Sequence, residues 1–565
     1  MKKIVVLILL TGCLATNSYG QSKKQIARLA ELAQAWGLLK YYHPAIAAGK
    51  QDWDSVLIET LQHTLSDSQG AQFTAAIDRL LTIAGPDTAS FYLPVNDQSI
   101  AYKNYDASWI NRSKQLNEEQ KKALNYILSH PNRAGNVYAR QDGSPDSTVT
   151  TPHEKPYKEM LLPDVHYRLL GLFRFWNVIN YYYPYKYKIG KPWNQVLHEL
   201  IPVMIEASDT LSYHRAIARM AASINDAHGG LWPEVYSSFT GKYAPGFHFR
   251  LVDGKAVVTR IIDSLLLKEP AFQVGSVLTS INGVTIKQLI KRYTDYVPAS
   301  NVGGKLKTMH GFLLNTFTDK AEYRGISRDG KKMHVTLPQT ERNFLQGYLD
   351  FFEMKSADTC KILPGNIGYV YFSNLNSRNL HSVMRSLLHT RAIIFDMRNY
   401  PENGAGIYRV PDYLLSQPAI YARNTYPDFS LPGRFNYIIA NEGTNYSRVG
   451  GSRLSPDVEL PYQGKIILLV DSRTQSAAEW ACMTLLTAKN VTVIGNQTAG
   501  TDGNVTRTIL PGGYKIAFSG LGIYFPNGAE TQRAGIPIDI HVTYRISDII
   551  NGRDPLLEKA LDWLK

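Results

Sequence analysis

The sequence predicts a multidomain α/β protein: a duplicated helical bundle, then a small β-domain, then an α/β core. Three observations predict this. A block near the N-terminus repeats at an offset of 140, with its apolar positions at helical spacing. Short alternating strands joined by glycine turns follow it. The last third alternates buried-strand runs with helices, the pattern of layered α/β structure. A chain of 565 residues is too long for one ordinary domain and suits three or four. With 44% hydrophobic and 19% charged residues it is globular material, not a disordered tail.

Residues 1–20 read as an export signal. Lys2 and Lys3 precede the apolar stretch Ile4 to Leu10, and Ser18-Tyr19-Gly20 places small residues before Gln21. Leu10-Thr11-Gly12-Cys13 offers a second reading, a lipobox with Cys13 as the lipidated residue. The residues favour cleavage after Gly20. Both readings send the protein out of the cytoplasm, to the periplasm or cell envelope. The apolar run is too short to span a bilayer, so no integral membrane span is expected. Lys and Arg number 61 against 48 Asp and Glu, spread without a block of like charge. That favours a soluble basic protein with no nucleic-acid partner. Cys360 and Cys482 make neither a disulfide framework nor a zinc site, and no metal or cofactor is expected. Cys482 lies in an apolar run and reads as core.

The repeat covers residues 29–83 and 169–223. Leu29, Leu32, Trp36 and Leu39 match Leu169, Leu172, Trp176 and Ile179. Trp53 and Leu57 match Trp193 and Leu197. Steps of three and four mark amphipathic helices, about three per copy, with Pro44 or Pro184 ending the first. The copies are placed at 21–84 and 163–245, with 85–162 as a polar linker containing the turn Gly143-Ser144-Pro145-Asp146. Only the second copy ends in Asp226-Ala227-His228-Gly229-Gly230. A histidine turn confined to one copy points to a separate job for it.

Residues 246–340 change to strand patterning. Phe247–Leu251 and Ala256–Ile261 flank an Asp253-Gly254 turn. Val274-Gly275-Ser276-Val277-Leu278-Thr279-Ser280-Ile281-Asn282-Gly283 then resembles the strand and turn of PDZ domains. Such domains bind extended peptide ends by adding a strand to a sheet edge. The core, 341–565, has buried-strand runs at 367–372, 392–396, 466–470 and 491–495. The third leads through Asp471-Ser472-Arg473-Thr474-Gln475-Ser476 into an apolar helix. A serine there sits beside the unpaired N–H groups and positive dipole end of a helix. Position alone favours a simple helix cap.

The motifs in order decide otherwise. "TQSAAE" followed by "VIGNQTAG" resembles the tail-specific (C-terminal processing) serine peptidase family. Asp396-Met397-Arg398-Asn399-Tyr400-Pro401-Glu402-Asn403 and Gly535-Ile536-Pro537-Ile538-Asp539-Ile540 echo two further family motifs. The resemblance covers roughly residues 246–565 and implies a crotonase/ClpP-like α/β peptidase core acting on polypeptides. The helical repeat resembles the tricorn-like branch. Two departures matter. The Ser–Lys branch keeps its lysine in a turn that here reads Thr498-Ala499-Gly500-Thr501-Asp502-Gly503, and no lysine lies between Lys489 and Lys515. The resemblance therefore implies the Ser–His arrangement, with Ser476 as nucleophile and His228 as base. The family's double glycine, which shapes an oxyanion loop, is replaced by Glu402-Asn403. Oxyanion donors are expected at the N–H groups of Ala477 and Asn403. Asp502 and Glu479 lead the candidates for a third catalytic member, with Glu530 behind them.

An exported serine endopeptidase, guided by C-terminal tails, is the reading these residues favour. A non-catalytic peptide-binding protein on the same scaffold is the alternative, favoured by the Glu402-Asn403 change. A structural or adhesion role has only the basic charge behind it. Oligomeric state is not legible in the sequence.

Overall fold

A computed structural model describes residues 22–86, 103–141, 148–341, 358–437, 446–450 and 461–565, apart from positions 68, 133, 232, 402 and 403. The export segment with Cys13, the turn at 143–146 and the Glu402-Asn403 pair lie outside the described residues. Among the described residues no helix is long and apolar enough to cross a membrane.

The helical region opens with α1 (Lys23–Tyr42), α2 (Trp53–Thr64) and α3 (Ala71–Ala84). Its later part is α4 (Val165–Tyr182), α5 (Trp193–Glu206) and α6 (Thr210–Ala222). Ser22 caps α1 by accepting from Gln25 N–H, and Asp164 caps α4 by accepting from His166 and Tyr167 N–H. His43 and Tyr183, each just before a proline, are extended and end α1 and α4. The Trp36 and Trp53 indoles each donate to the other's backbone carbonyl at 3.0 Å. Trp176 and Trp193 repeat this reciprocal pair at 2.9 and 3.0 Å. All four rings are buried, so the bonds satisfy indole N–H groups that would otherwise be stranded.

Residues 85–162 are more than a linker. They contain the helix Glu118–Ser129, begun by a capping box of Asn117 and Gln120, and bury Leu116, Leu124 and Ile127. They also supply Glu154, which sits fully buried between the helices. Lys40 Nζ lies 2.5 Å from Glu154 Oε1, and Arg174 Nε lies 2.6 Å from Glu154 Oε2. Arg174 also pairs with Asp54. Two cations and two anions thus neutralise one another. The polar appearance of this segment concealed the role, because the charge is matched only in three dimensions.

A seven-stranded sheet follows, with β1 (Tyr243–Pro245), β2 (Phe247–Val252), β3 (Lys255–Ile261), β4 (Val277–Ile281), β5 (Val284–Thr285), β6 (Lys320–Ile326) and β7 (Lys332–Glu341). The spatial order is β1-β7-β6-β4-β3-β2, with β5 paired to β4. Asp253-Gly254 and Asn282-Gly283 turn with positive φ (52° and 70°, 46° and 76°), as tight hairpin turns require. The sheet is tied to the core. Arg250 stacks its guanidinium 3.8 Å from the Tyr544 ring centroid and lies 3.9 Å from Asp471. From helix α7 (Val302–Met309), the N-cap Asn301 donates to the carbonyls of Thr498 and Ala499 at 2.8 and 3.1 Å.

The core sheet runs β8-β9-β10-β11-β12-β15 in space, from β8 (Cys360–Leu363), β9 (Ile367–Tyr371), β10 (Ala392–Asp396), β11 (Lys465–Val470), β12 (Val491–Gly495) and β15 (Ile540–His541). Every neighbour pair is parallel except β8 with β9. Helix α8 (Ala477–Leu485) follows β11, and α9 (Pro555–Trp563) packs Leu556 and Ala560 under the sheet. A hairpin of β13 (Val505–Ile509) and β14 (Lys515–Ser519) leaves this core. Its Leu510, Ile516 and Phe518 join the hydrophobic core of the helical region. The C-terminal third is therefore packed into the N-terminal half.

Removing one member of the buried charge group leaves opposite charges stranded. Arg174→Ala should lower stability by about 3–5 kcal/mol, read from chemical denaturation. A loss below about 1 kcal/mol would show that Asp54 and Glu154 do not depend on it.

Candidate active site

Ser476 stands where β11 turns into α8. Its φ and ψ are 53° and −117°, a conformation that non-glycine residues seldom adopt. Such a backbone costs about 1–3 kcal/mol and persists only where its surroundings hold it. Those surroundings are visible. The Ser476 N–H faces Glu479 Oε2 at 3.2 Å and the Thr501 carbonyl at 3.1 Å. One turn upstream, Thr474 N–H donates to the Asp471 carbonyl at 2.8 Å and its hydroxyl to the Met397 carbonyl at 2.9 Å. Arg473 and Asp471 pair at 2.8 Å, fully enclosed. Ala477 is the first helical residue, so its N–H has no acceptor inside the helix.

Glu479 is buried and points back at the loop 498–501. Oε1 accepts from the Thr498 hydroxyl at 2.5 Å and Gly500 N–H at 2.9 Å, and Oε2 from Thr501 N–H at 3.1 Å. Burial pushes its pKa up to about 7, against the pull of these donors. Lys307 on α7 is also buried, and desolvation brings its ammonium down to about 7 while Glu479 and Asp471 oppose the shift.

His228 lies in the turn after α6. Gly229 is necessary beside it, because a Cβ there would stand 2.5 Å from Pro298 Cβ and 2.8 Å from the Asp226 carbonyl. The turn is docked on β14, where Ala517 N–H donates to the Gly230 carbonyl at 3.2 Å. His228 Nδ1 lies 2.9 Å from Ser519 Oγ and 3.3 Å from Thr501 Oγ1. Its Nε2 is buried and has no hydrogen-bond partner among the described residues. Burial lowers the imidazole pKa below its usual 6.5; Asp226 opposes that shift and Lys307 adds to it.

The loops carrying Ser476 and His228 meet from positions 248 residues apart, with no hydrogen bond between the two side chains among the described residues. The Gln475 side chain donates to the Ala227 carbonyl at 3.3 Å, joining the residues that precede each of them. Thr501 touches both, with its carbonyl on Ser476 N–H and its hydroxyl beside His228 Nδ1.

The carboxylates expected to assist are placed differently. Asp502 Oδ1 accepts from Gly503 N–H at 2.9 Å, and Oδ2 is buried without a partner among the described residues. Burial first, and then the nearby Glu479, push its pKa well above the usual carboxylate range. Glu530 pairs with Lys188 and Tyr187 and lies 3.5 Å from Lys103. Among the described residues neither these nor Glu479 hydrogen-bonds to His228. Asn403 lies outside the described residues. Cys482 is fully buried, and burial raises its thiol pKa well above the ordinary value.

Asp226 was not singled out by the sequence reading, although the signal was present. The comparison that isolates His228 sets Asp226 against Pro86 in the first copy. Its Oδ1 accepts from His228 N–H at 3.0 Å, Thr501 Oγ1 at 2.7 Å and Ser519 Oγ at 3.1 Å, and its Oδ2 from Ser519 N–H at 2.7 Å. Lys307, Thr501 and Ser519 carry no motif of their own.

Residues 366–542, which span the parallel sheet and the Ser476 turn, match the model of peptidase family S41. The match to peptidase family S41 is confined to this core. It is a serine peptidase, a hydrolase. The structure of mature CPAF complexed with lactacystin is similar to this chain, with TM-score 0.53 and 12% identity over 71% of this chain and 97% of that one. The crystal structure of mature CPAF gives 0.52 and 12% over 70% and 96%. At this identity the likeness is one of fold. The photosystem II D1 C-terminal processing protease matches at 14% identity over 69% of this chain and 98% of its own, with TM-score 0.35. No curated protein matches the sequence.

Glu479 is a clamp for the Ser476 turn, and Asp502 is a buried acid whose charged form burial disfavours. Glu479→Ala strands several buried donors and should cost at least ~2 kcal/mol in chemical denaturation. Asp502→Asn should stay within about 1 kcal/mol of the parent with an unchanged pH–rate profile. Equal stability losses in the two variants would contradict this division.

Proposed function

We propose that the chain is an exported serine endopeptidase in which Ser476 is the nucleophile and His228 the base. The observation that carries this reading is the strained Ser476 turn joined through Thr501 to the His228 loop. Ser476 Oγ attacks the scissile carbonyl while His228 Nε2 takes its proton. The same nitrogen returns the proton to the leaving amine. Water then attacks the acyl-enzyme by the reverse proton path. The Ala477 N–H, at the positive end of α8, stabilises the oxyanion, with a second donor assigned to the 402–404 loop. Burial of Nε2 supports the role, because no other group competes for its lone pair.

The finer features follow the same reading. The mirrored tryptophan pairs support a duplicated helical bundle. The β1–β7 sheet with its Asn-Gly turn supports a PDZ-like domain that engages substrate tails. Its ties through Arg250 and Asn301 put that domain against the turn carrying Ser476. Residues 1–20 support export, with Cys13 lipidation as the other route.

Ser476→Ala should abolish hydrolysis of an unstructured protein substrate and leave the melting temperature near the parent's. Parent-rate hydrolysis by that variant would remove Ser476 as nucleophile.

The pH profile tests the base. Deprotonated His228 is the active form, so the rate rises with pH through its pKa. Burial lowers that pKa, so the limb falls below pH 6.5 and the rate is level at neutral pH. His228→Ala should remove both limb and activity. Lys307→Met removes a nearby cation and should move the limb to higher pH. An unmoved limb in Lys307→Met, with His228→Ala still active, would assign the base elsewhere.

A further inference from the structure

We propose that Asp226 is the carboxylate that orients the base, acting on the His228 ring through the hydroxyls of Ser519 and Thr501. The proposal rests on the Ser476–His228 reading and supplies the third member that reading lacks.

With Asp226 ionised, hydrogen counting gives one consistent set of directions, in which the 3.3 Å approach of Thr501 Oγ1 to Ser519 Oγ carries no hydrogen. A carboxylate accepts and does not donate. Thr501 Oγ1 lies 2.7 Å and Ser519 Oγ 3.1 Å from Asp226 Oδ1, so each hydroxyl hydrogen has its strongest acceptor there. Each hydroxyl has one hydrogen, so the side facing the ring presents a lone pair. His228 Nδ1, at 2.9 and 3.3 Å from these oxygens, must then carry the ring proton and donate it. A neutral imidazole has one N–H, so Nε2 is left bare. That is the tautomer that can take a proton from a serine.

The arrangement also supports the charged state. When Nε2 gains a proton, the ring becomes a cation whose Nδ1–H points at two hydroxyls already polarised by a buried carboxylate. Only the proton at Nε2 moves; those at Nδ1 and on the hydroxyls stay in place. Asp226 meets His228 directly only at the backbone N–H, so it fixes the loop and the ring by separate bonds. Thr501 occupies the fourth place of the Thr498-Ala499-Gly500-Thr501 turn, where the lysine branch carries its base. A side chain too short to be a base serves here to hold one.

The test is nitrogen-15 NMR of the full chain labelled at histidine, together with kinetics. His228 is assigned by difference from His228→Ala. The parent at neutral pH should show His228 protonated at Nδ1 and bare at Nε2. Thr501→Val and Ser519→Ala singly should each lose less than about tenfold in kcat, because the other hydroxyl still holds Nδ1. Together they should lose about a hundredfold in kcat with KM nearly unchanged, and His228 should become a mixture of tautomers. Thr501→Ser together with Ser519→Ala should keep the kcat of Ser519→Ala alone, because a hydroxyl is retained at position 501. A parent His228 protonated at Nε2 would overturn the relay, even if the double variant fails to fold. So would a double variant with parental kcat and parental His228 signals. Failure of the Ser–His reading is seen separately, as parent turnover in His228→Ala.

Discussion

One buried carboxylate joins the two halves of this site. Asp226 accepts the backbone N–H of His228 and that of Ser519, 293 residues later in the chain. Each segment alone is an ordinary loop or strand end. Their union converts them into a socket for the imidazole. The socket is possible only because Leu510, Ile516 and Phe518 are buried among the helices and bring β14 to the His228 turn. Apolar burial supplies the gross attraction, and the carboxylate sets the register.

On the other side of Thr501, Glu479 does comparable work for Ser476. It gathers backbone donors from Ser476, Gly500 and Thr501 onto one carboxyl group. Thr501 is thereby fixed at its N–H, its carbonyl and its hydroxyl. Two buried acids grip one residue from opposite sides, and that residue lies between serine and histidine. Enclosure accounts for the electrostatics. Low polarity raises Glu479 and Asp502, lowers His228 and Lys307, and strengthens the hydrogen bonds of this enclosed region.

Much of this was legible in the sequence. Apolar spacing gave the helices, Pro44 and Pro184 their ends, and Asp253-Gly254 its hairpin. A motif singles out Ser476, and a difference between repeat copies singles out His228. What escaped was non-local. Glu154 looks like a solvated linker charge until Lys40 and Arg174 close around it. Asp502 looks like a catalytic acid by position, yet its carboxyl turns to its own neighbour, Gly503. Ser519 is a hydroxyl residue without a pattern, and only the docking of β14 brings it to Asp226 and His228. Arg250 and Asn301 bind the β-domain to the core through contacts that no local pattern reveals.

The division of the site has a consequence for how the molecule is made. During synthesis the histidine loop is complete long before the serine turn exists, and the socket for its ring is finished only when β14 has been added. A chain interrupted anywhere before Ser519 leaves the His228 ring without its 2.9 Å contact and Asp226 without one of its backbone donors. This pocket is therefore a property of the finished tertiary structure, assembled late and all at once.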